Sequence, residues 1–409
     1  MPPVILFASA VFPGQFTGLC AHLNQTGLAE AHFLTTPGNV ARYGAQHANL
    51  LPFTPDGDYT KTHYYYAAKT ERSARLSRGL LKAVRAFSAT RRPDLIVCHG
   101  LWAPPMFLYD EVDTPIVSYL EFPSYRAHGW QADYPPDESQ RLTDRNMEML
   151  SLHQVLRSAL TIVPSAYARS LFPPELQPRI AVQFEGFQIE PTPAPAPRSD
   201  DRPVIGFAAR DLSSAKGFEI FIRLADRMIR DGDPARFIAI GDPAATTYGY
   251  EQQLVQRRHG AGTSFRDHLL DRYPAARAVE FPGRLPYAEY AQLLHGIDLF
   301  LYPLRHGVAN WGLMEIMARG RAVIGSDQCF LPELIRHGEN GLLLPDDDDL
   351  WLREIRRLLA DPAERARLGA GAAGSGSAYR MDKVAPRYMA LFERAMATGN
   401  RGGAAWDRG

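Results

Sequence analysis

Two cations stand close together in the segment 209–218, directly after an apolar stretch that predicts a buried strand at 204–208. Arg210 offers a planar guanidinium fork and Lys216 a point charge, and both groups bind phosphate oxygens well. At the carboxyl end of a strand, with a helix following, they are placed to hold a diphosphate. The alternative is a pair of solvated loop charges without a ligand.

A carboxylate that could bind a ribose lies in the segment 310–320. Trp311, Met314 and Ala318 recur at helical spacing, which predicts a helix with Glu315 in its first turns. A carboxylate there can accept hydrogen bonds from two vicinal hydroxyl groups, as acidic residues do in dinucleotide sites. The alternative is a charge that only complements the helix dipole.

A turn that contains Gly14 and Gln15 follows the first apolar stretch, at 4–9. Glycine in a strand-to-helix turn lets a ligand approach the backbone, and the next helix offers its N–H groups to an anion. Tight turns also use glycine for purely structural reasons.

The elements that would position these residues alternate between apolar β-rich runs and amphipathic helical patterns, which is typical of βαβ units. Strands are predicted at 4–9, 95–98, 116–119, 160–164, 204–208, 236–240, 278–281, 299–302 and 322–325. The proline-rich stretch 191–203 predicts an interdomain linker, and the Gly/Ala/Ser-rich stretch 369–377 a second hinge. We therefore expect two successive α/β domains, 1–190 and 191–377, with ligands in the cleft between their sheets.

Composition excludes several classes of protein. The 45 Lys+Arg and 45 Asp+Glu residues balance, which argues against a general nucleic-acid binder. Cys20, Cys98 and Cys329 form no metal-binding or disulfide pattern, so we expect a cytoplasmic protein without a metal site. No apolar stretch approaches the roughly 20 residues of a membrane span.

A basic helix is predicted at 69–85. Its cations are spaced three or four residues apart: Lys69, Arg72, Arg75, Arg78, Lys82 and Arg85. Such a face could rest on the anionic inner surface of a membrane and bring the protein to a lipid-linked acceptor. An ordinary solvated helix face is the alternative.

Two further features have competing interpretations. The acidic run 346–349 could bind a metal, but it is expected to cap the helix that begins near Leu350. His99, at the end of a predicted strand, could contact a ligand or be a structural histidine of the core.

The ordered set of motifs between 204 and 346 resembles that of the family 4 retaining glycosyltransferases. The pieces are Arg210 with Lys216-Gly217, then 240–242, 281–286, 311–318 and 325–327, then 332–335 and 338–341. The Phe-Pro-Gly-Gln-Phe sequence at 12–16 and the pair Glu185-Gly186 resemble a subgroup of that family. The resemblance implies the GT-B fold, with two Rossmann-like domains, the first completed by a final helix at about 378–398.

The resemblance also implies a role for each motif. Arg210 and Lys216 would bind the diphosphate of a nucleotide-sugar donor, UDP- or GDP-linked, and Glu315 would bind its ribose. The remaining donor contacts would come from Gly14 and Gln15 beside the phosphates, Trp311 and Gly312 facing the transferred sugar, and Arg284 and Leu285 near the base.

The chain departs from the family pattern at two positions. Gly307 stands where the family usually has a glutamate that orients the donor sugar. Glu121 stands where the family often has a histidine, and we expect it to face the reaction centre, where it could orient the acceptor or contact the donor sugar.

We therefore expect a metal-independent retaining glycosyltransferase that acts on a glycan, lipid-linked or small-molecule acceptor. A nucleotide-sugar epimerase or a phosphorylase on the same fold is an alternative, although no lysine stands out for pyridoxal phosphate. A catalytically weak nucleotide-sugar-binding scaffold is another: Gly307 favours it, whereas the presence of Arg210, Lys216 and Glu315 together argues against it.

Overall fold

The computed structural model describes residues 1–188, 200–244 and 249–400, which form two compact α/β units. The first unit comprises 1–128, 137–188 and 379–400, and the second 129–136, 200–244 and 249–378. Most of the expected linker, up to position 199, lies outside the described residues. The domain boundary expected at 190 does not account for the segment 129–136, which belongs to the second unit.

The first unit is built around a parallel sheet. Its strands are β1 (Val4–Ala8), β2 (Glu30–Thr35), β3 (Leu50–Pro52), β4 (Leu95–His99), β5 (Ile116–Tyr119), β6 (Leu160–Val163) and β7 (Ile180–Val182). They are ordered β3-β2-β1-β4-β5-β6-β7. The helices are α1 (Thr17–Thr26), α2 (Pro37–Tyr43), α3 (Ala68–Ser88), α4 (Tyr125–His128), α5 (Glu138–Arg157) and α6 (Ala166–Ser170). Strands β1, β4, β5 and β6 are buried throughout, as in a parallel sheet covered on both faces.

The second unit repeats this plan with six parallel strands. They are β8 (Val204–Asp211), β9 (Arg236–Asp242), β10 (Glu280–Gly283), β11 (Leu299–Tyr302), β12 (Ala322–Ser326) and β13 (Leu342–Leu344), in the order β10-β9-β8-β11-β12-β13. Its helices are α7 (Phe218–Arg230), α8 (Glu251–His259), α9 (Phe265–Arg272), α10 (Tyr287–His295), α11 (Trp311–Ala318), α12 (Leu331–Leu334), α13 (Asp348–Ala360) and α14 (Pro362–Gly376). Strand β8 is longer than expected, so Arg210 lies within the strand and not after it.

The last helix, α15 (Met381–Thr398), belongs to the first unit, as the resemblance implies. Phe392 is fully buried in the same core as Phe7 of β1. The Tyr388 hydroxyl donates to the Gln183 carbonyl over 3.1 Å. No helix within the described ranges is long and apolar enough to cross a membrane.

The stretch 369–377 is almost entirely helical, in α14, and the boundary between the two units follows it at 378–379, so the expected hinge there stays a prediction. Its small residues serve close packing. A Cβ atom at Gly376 would lie 2.7 Å from the Ala318 nitrogen, and one at Gly369 only 2.2 Å from the Gly320 carbonyl oxygen. The absence of side chains therefore lets α14 pack directly against the end of α11 and the turn that follows it.

A second close approach joins the loop that contains Lys216 to the end of β11. Gly217 has a φ of +76°, and a Cβ atom there would lie 1.7 Å from the Pro303 carbonyl oxygen. The Ala215 carbonyl also accepts hydrogen bonds from the Arg305 and His306 amides, both at 3.0 Å. Glycine is thus required at 217 for its conformation and for its size.

We predict that Gly217→Ala destabilises the second unit more than Gly232→Ala does. Both glycines have a left-handed backbone conformation, with φ of +76° and +79°. An alanine in that conformation costs roughly 1–2 kcal/mol at either position. A Cβ at Gly232 meets nothing within 4 Å, whereas the one at Gly217 adds overpacking of about 1–3 kcal/mol. Urea denaturation of both variants measures the difference, and equal stabilities would contradict the close contact.

Candidate functional site

In the first unit, the expected site residues lie at the carboxyl ends of neighbouring strands. Gln15 follows β1, His99 ends β4 and Glu121 follows β5, and these strands are adjacent in the sheet. The Gln15 side-chain amide donates to the Glu121 carboxylate over 3.1 Å. Gly14 precedes this contact in a turn whose amide donates to the Thr17 hydroxyl over 2.8 Å. The structure therefore brings Gly14, Gln15 and Glu121 together.

His99 joins this group as a buried, neutral imidazole. Its Nδ1 accepts a hydrogen bond from the Leu101 amide over 3.3 Å, which assigns the ring proton to Nε2. Nε2 is buried without a hydrogen-bond partner among the described residues. Burial lowers the pKa of His99, and the nearby Glu121 carboxylate acts in the opposite direction. A buried N–H donor therefore lies close to a carboxylate, at the end of the sheet where ligands of such folds bind.

In the second unit, Arg210 and Lys216 have different environments. The Arg210 side chain is 64% exposed and its Nε lies 3.9 Å from the fully buried Asp211 carboxylate. Lys216 is only 7% exposed. Lysine is rarely this buried, so the fold places its charge beneath the surface of the loop.

The loop that contains Lys216 is fixed by a buried carboxylate that the sequence did not reveal. Glu251, at the start of α8, accepts from the Ser214 amide at 3.0 Å and from its hydroxyl at 2.8 Å. Burial raises the pKa of Glu251, and the Ser214 bonds act in the opposite direction. Serine and glutamate 37 positions apart give no sequence pattern that could predict this contact.

Helix α11 begins directly after the loop that follows β11, the strand paired with β8. The Asn310 side chain caps it by accepting from the Leu313 amide over 3.1 Å. Trp311 is 43% exposed at the first helical position, and Gly312 follows it. A cap of this kind is visible in the sequence, because asparagine precedes a helical pattern.

Glu315 is part of a hydrogen-bonded network on α11. Its Oε1 atom accepts from the Tyr287 hydroxyl at 2.8 Å and from Nε and Nη2 of Arg319 at 3.1 and 2.8 Å. Among the described residues no partner bonds Oε2. Burial, and then Glu315, raise the pKa of Tyr287 to about 12. The network orients the carboxylate and leaves one oxygen for a ligand.

Arg284 and Leu285 follow β10, which is separated from β8 by β9. Arg284 is exposed and makes no ion pair within the described ranges, and Leu285 is half-buried. Arg210, Lys216, Trp311, Gly312 and Glu315 thus lie on the neighbouring β8 and β11 segments, and Arg284 and Leu285 at the end of β10.

Gly307 is buried, and a Cβ atom there would lie 3.1 and 3.3 Å from the two terminal methyl groups of Leu304. A glutamate at this position would need Leu304 to move. The Leu304 side chain therefore lies next to the space that a side chain at 307 would enter.

The basic helix expected at 69–85 is α3, and its cations differ in their surroundings. Five of its six cations have partners within the unit: Lys69 with Asp144 and the Tyr125 ring, Arg72 with the Trp102 ring, Arg75 with Glu71, Lys82 with Asp56, and Arg85 with Glu111. Burial lowers the pKa of Lys69. Lys69, Arg72 and Arg75 are thus half-buried within the unit, whereas Arg78, Lys82 and Arg85 are exposed to solvent.

The acidic run caps a helix, as expected. The Asp347 side chain accepts from the Leu350 amide over 3.1 Å at the start of α13. Asp346 and Asp348 pair with Arg223 at 3.5 and 2.5 Å. Across the described part of the chain, no group of three or more His, Cys, Asp or Glu residues could hold a metal ion.

Two family models match consecutive parts of the chain. The model described as glycosyl transferase family 4 group matches residues 29–191, and the one described as glycosyl transferases group 1 matches residues 188–374. The chain belongs to this family of glycosyltransferases and has its two-domain GT-B fold.

Curated relatives share parts of their length with this chain. D-inositol 3-phosphate glycosyltransferase of Streptomyces bingchenggensis is 36% identical over 90 residues, 21% of this chain and 20% of the relative. Alpha-D-kanosaminyltransferase of Streptomyces kanamyceticus is 24% identical over 256 residues, 59% of this chain and 62% of the relative. The chain thus spans less than two thirds of either relative.

Solved structures resemble the chain over nearly its whole length. Sucrose-phosphate synthase from Thermosynechococcus elongatus has a TM-score of 0.72 at 17% identity and covers 97% of this chain and 100% of its own. Anabaena HepE in complex with UDP-glucose has a TM-score of 0.69 at 17% identity, with 96% and 99% covered. At this identity the likeness shows the fold.

We predict that Glu121→Gln lowers the pKa of His99 further. The carboxylate favours the charged imidazolium, so its removal leaves burial to act without opposition. Histidine NMR titration measures the shift, with His99→Asn to assign the resonance. Glu111→Gln, which alters the exposed pair with Arg85, is the control. A higher or unchanged pKa would contradict the proximity of the two groups.

Proposed function

We propose that this protein transfers a sugar from a nucleoside-diphosphate donor to a hydroxyl acceptor, with retention of configuration and without a metal ion. The observation that carries the proposal is the placement of two cations and an oriented carboxylate on the neighbouring segments β8 and β11. Membership of the glycosyltransferase family supports the reaction class.

Arg210 and Lys216 would bind the diphosphate. The charge that develops on the leaving group needs nearby cations, and a buried lysine interacts with it more strongly than a solvated one. Arg210 is 64% exposed, so its guanidinium is accessible to a phosphate. These two charges take the place of a divalent metal in the proposal, and the donor itself is the only cofactor-like group required.

The remaining donor contacts would come from the segments that follow β10 and β11. Oε2 of Glu315 would accept from the ribose hydroxyls, Arg284 and Leu285 would lie near the base, and the amides at Trp311 and Gly312 would face the sugar. The complex of HepE with UDP-glucose supports a UDP-linked donor, and a GDP-linked one is the alternative.

Gly14, Gln15, Glu121 and His99 would serve the reaction centre from the first unit. The Glu121 carboxylate would orient the acceptor hydroxyl or the donor sugar, and Gln15 holds it in place. For retention, the acceptor oxygen attacks the anomeric carbon on the face from which the phosphate leaves. The C1–phosphate bond breaks, the new glycosidic bond forms, and the acceptor proton passes to the departing phosphate oxygen.

The acceptor would be a glycan, a lipid-linked sugar or a small molecule, and the relatives include a D-inositol 3-phosphate glycosyltransferase and a putative colanic acid biosynthesis glycosyltransferase of Escherichia coli. We place the enzyme in the cytoplasm. A peripheral contact with the inner face of the membrane would depend on the exposed cations of α3, such as Arg78, because Arg72 and Arg75 are engaged within the unit.

We expect the full-length chain to release nucleoside diphosphate from at least one UDP- or GDP-sugar in the presence of acceptor, after dialysis against a chelator. The assay uses a donor panel, and NMR of the product gives its anomeric configuration. Complete loss of activity that Mg²⁺ or Mn²⁺ restores would contradict metal independence, and an inverted product would contradict retention. The absence of turnover with every donor would contradict the function itself.

We predict that Arg210→Ala and Lys216→Met each lower kcat by about 10²–10³-fold, since one electrostatic contact to a transition-state charge is worth roughly 2.7–4 kcal/mol. Methionine keeps much of the buried lysine stem, so the second variant should fold. Arg353→Ala is the control, because its side chain, 68% exposed on α13, matches the exposure of Arg210. Wild-type turnover in both test variants would mean that the phosphates bind elsewhere.

A further inference from the structure

A pocket of about 240 Å³ lies in the second unit, where β11, β12 and β13 end. Its lining includes Trp130, Gln131, Arg305, His306, Gln328 and Asp346. None of the residues assigned to the nucleotide is part of this lining. Its volume is below the roughly 300–1,000 Å³ of sites for drug-sized ligands, so it suits a single ring and not a nucleotide sugar.

One wall of the pocket comes from the segment 129–136, which we name the strap. The strap is fixed at both ends within the second unit: Tyr134 is 4% exposed and contacts the Phe265 ring edge-on at 5.1 Å, and Trp130 contacts Tyr250 at 6.1 Å. A Cβ atom at Gly129 would lie 2.7 Å from the His306 ring. Trp130 is therefore held at the pocket by packing on both sides.

The charges of the pocket are already balanced. Arg305 is 12% exposed and donates to the Asp346 carboxylate over 3.0 Å, and Arg223 lies 3.5 Å from the same carboxylate. The guanidinium groups thus have a carboxylate partner before any ligand enters. A neutral ligand fits this arrangement better than a phosphate, because an anion would have to compete with Asp346.

The polar groups that remain are two carboxamides. The side-chain carboxamides of Gln131 and Gln328 make no hydrogen bond to any described residue, and each offers a carbonyl acceptor and an amino donor. Two amides and a carboxylate beside an indole combine hydrogen bonding in both directions with apolar contact. Carbohydrate rings present the same combination, with hydroxyl groups at the edge and C–H groups on the face.

We propose that this pocket binds one neutral pyranose ring, with Trp130 against the ring and Gln131, Gln328 and Asp346 bonding its hydroxyl groups. Because the lining excludes the residues assigned to the diphosphate, the ribose and the base, the ring is assigned to a unit of an acceptor or product saccharide. This role rests on the proposed function, whereas binding of the ring does not.

The test is saturation-transfer NMR on the full-length chain without nucleotide. The probes are the methyl pyranosides of glucose, mannose, galactose and N-acetylglucosamine, with inorganic phosphate as the anionic comparison. We expect at least one glycoside to bind, and Gln328→Ala to weaken it about fivefold, as the loss of one neutral hydrogen bond would. Gln328 is exposed, so this variant should fold, and Trp130→Ala should abolish the signal.

Gln292→Ala is the matched control, because Gln292 is an exposed carboxamide of the same unit outside the lining. Sugar binding that survives Gln328→Ala and Trp130→Ala unchanged would overturn the proposal, as would the absence of binding by all four glycosides. Binding of phosphate alone would make the pocket an anion site. If the glycosides bind while every nucleotide sugar is inert, the subsite stands and the proposed function fails.

Discussion

The contact on which the second unit most depends is the one between the loop that contains Lys216 and the end of β11. Gly217 lies so close to the Pro303 carbonyl that no side chain fits, and the Ala215 carbonyl is shared by two amides of the next loop. One rigid junction therefore sets the position of Lys216, the course of the chain toward α11, and the wall formed by Arg305 and His306. A displacement at this junction would move the proposed phosphate site and the sugar pocket together.

A second close contact, with α14, restrains the C-terminal end of helix α11. Gly369 and Gly376 let the α14 backbone touch the end of α11, so the helix that carries Glu315 has little freedom to shift. Arg319 and Tyr287 then fix one oxygen of that carboxylate. Rigid support of this kind reduces the entropy lost when a ligand is bound, which is the usual benefit of preorganisation.

The sequence predicts the architecture well, because buried parallel strands are continuous apolar runs. The strands expected at 116–119 and 299–302 have the observed bounds, whereas β2 and the short edge strands β3, β7 and β13 were missed. Three-residue strands bury too few side chains to give a pattern. The family, and with it the GT-B fold, was predicted correctly from the order of the motifs.

Features that depend on tertiary contacts were less predictable. A basic helical pattern at 69–85 does not show that Arg72 stacks on Trp102 or that Lys69 faces Asp144. The glycine- and alanine-rich composition of 369–377 predicts a hinge, yet the stretch is almost entirely helical. Its small residues leave space for a neighbouring backbone. The strap at 129–136 has no signal at all, since its partner Phe265 lies far along the chain.

Gly307 shows how packing limits the chemistry that this chain can use. A Cβ atom at 307 would lie 3.1 and 3.3 Å from the terminal methyl groups of Leu304, so a larger side chain there requires Leu304 to shift by a few tenths of an ångström. With glycine at 307, a carboxylate that orients the donor sugar would come from another element. Glu121 is suited to that task in the first unit, because Gln15 fixes its carboxylate and His99 beside it is kept neutral by burial. A protonated histidine in that position would attract the carboxylate electrostatically, whereas a neutral one does not.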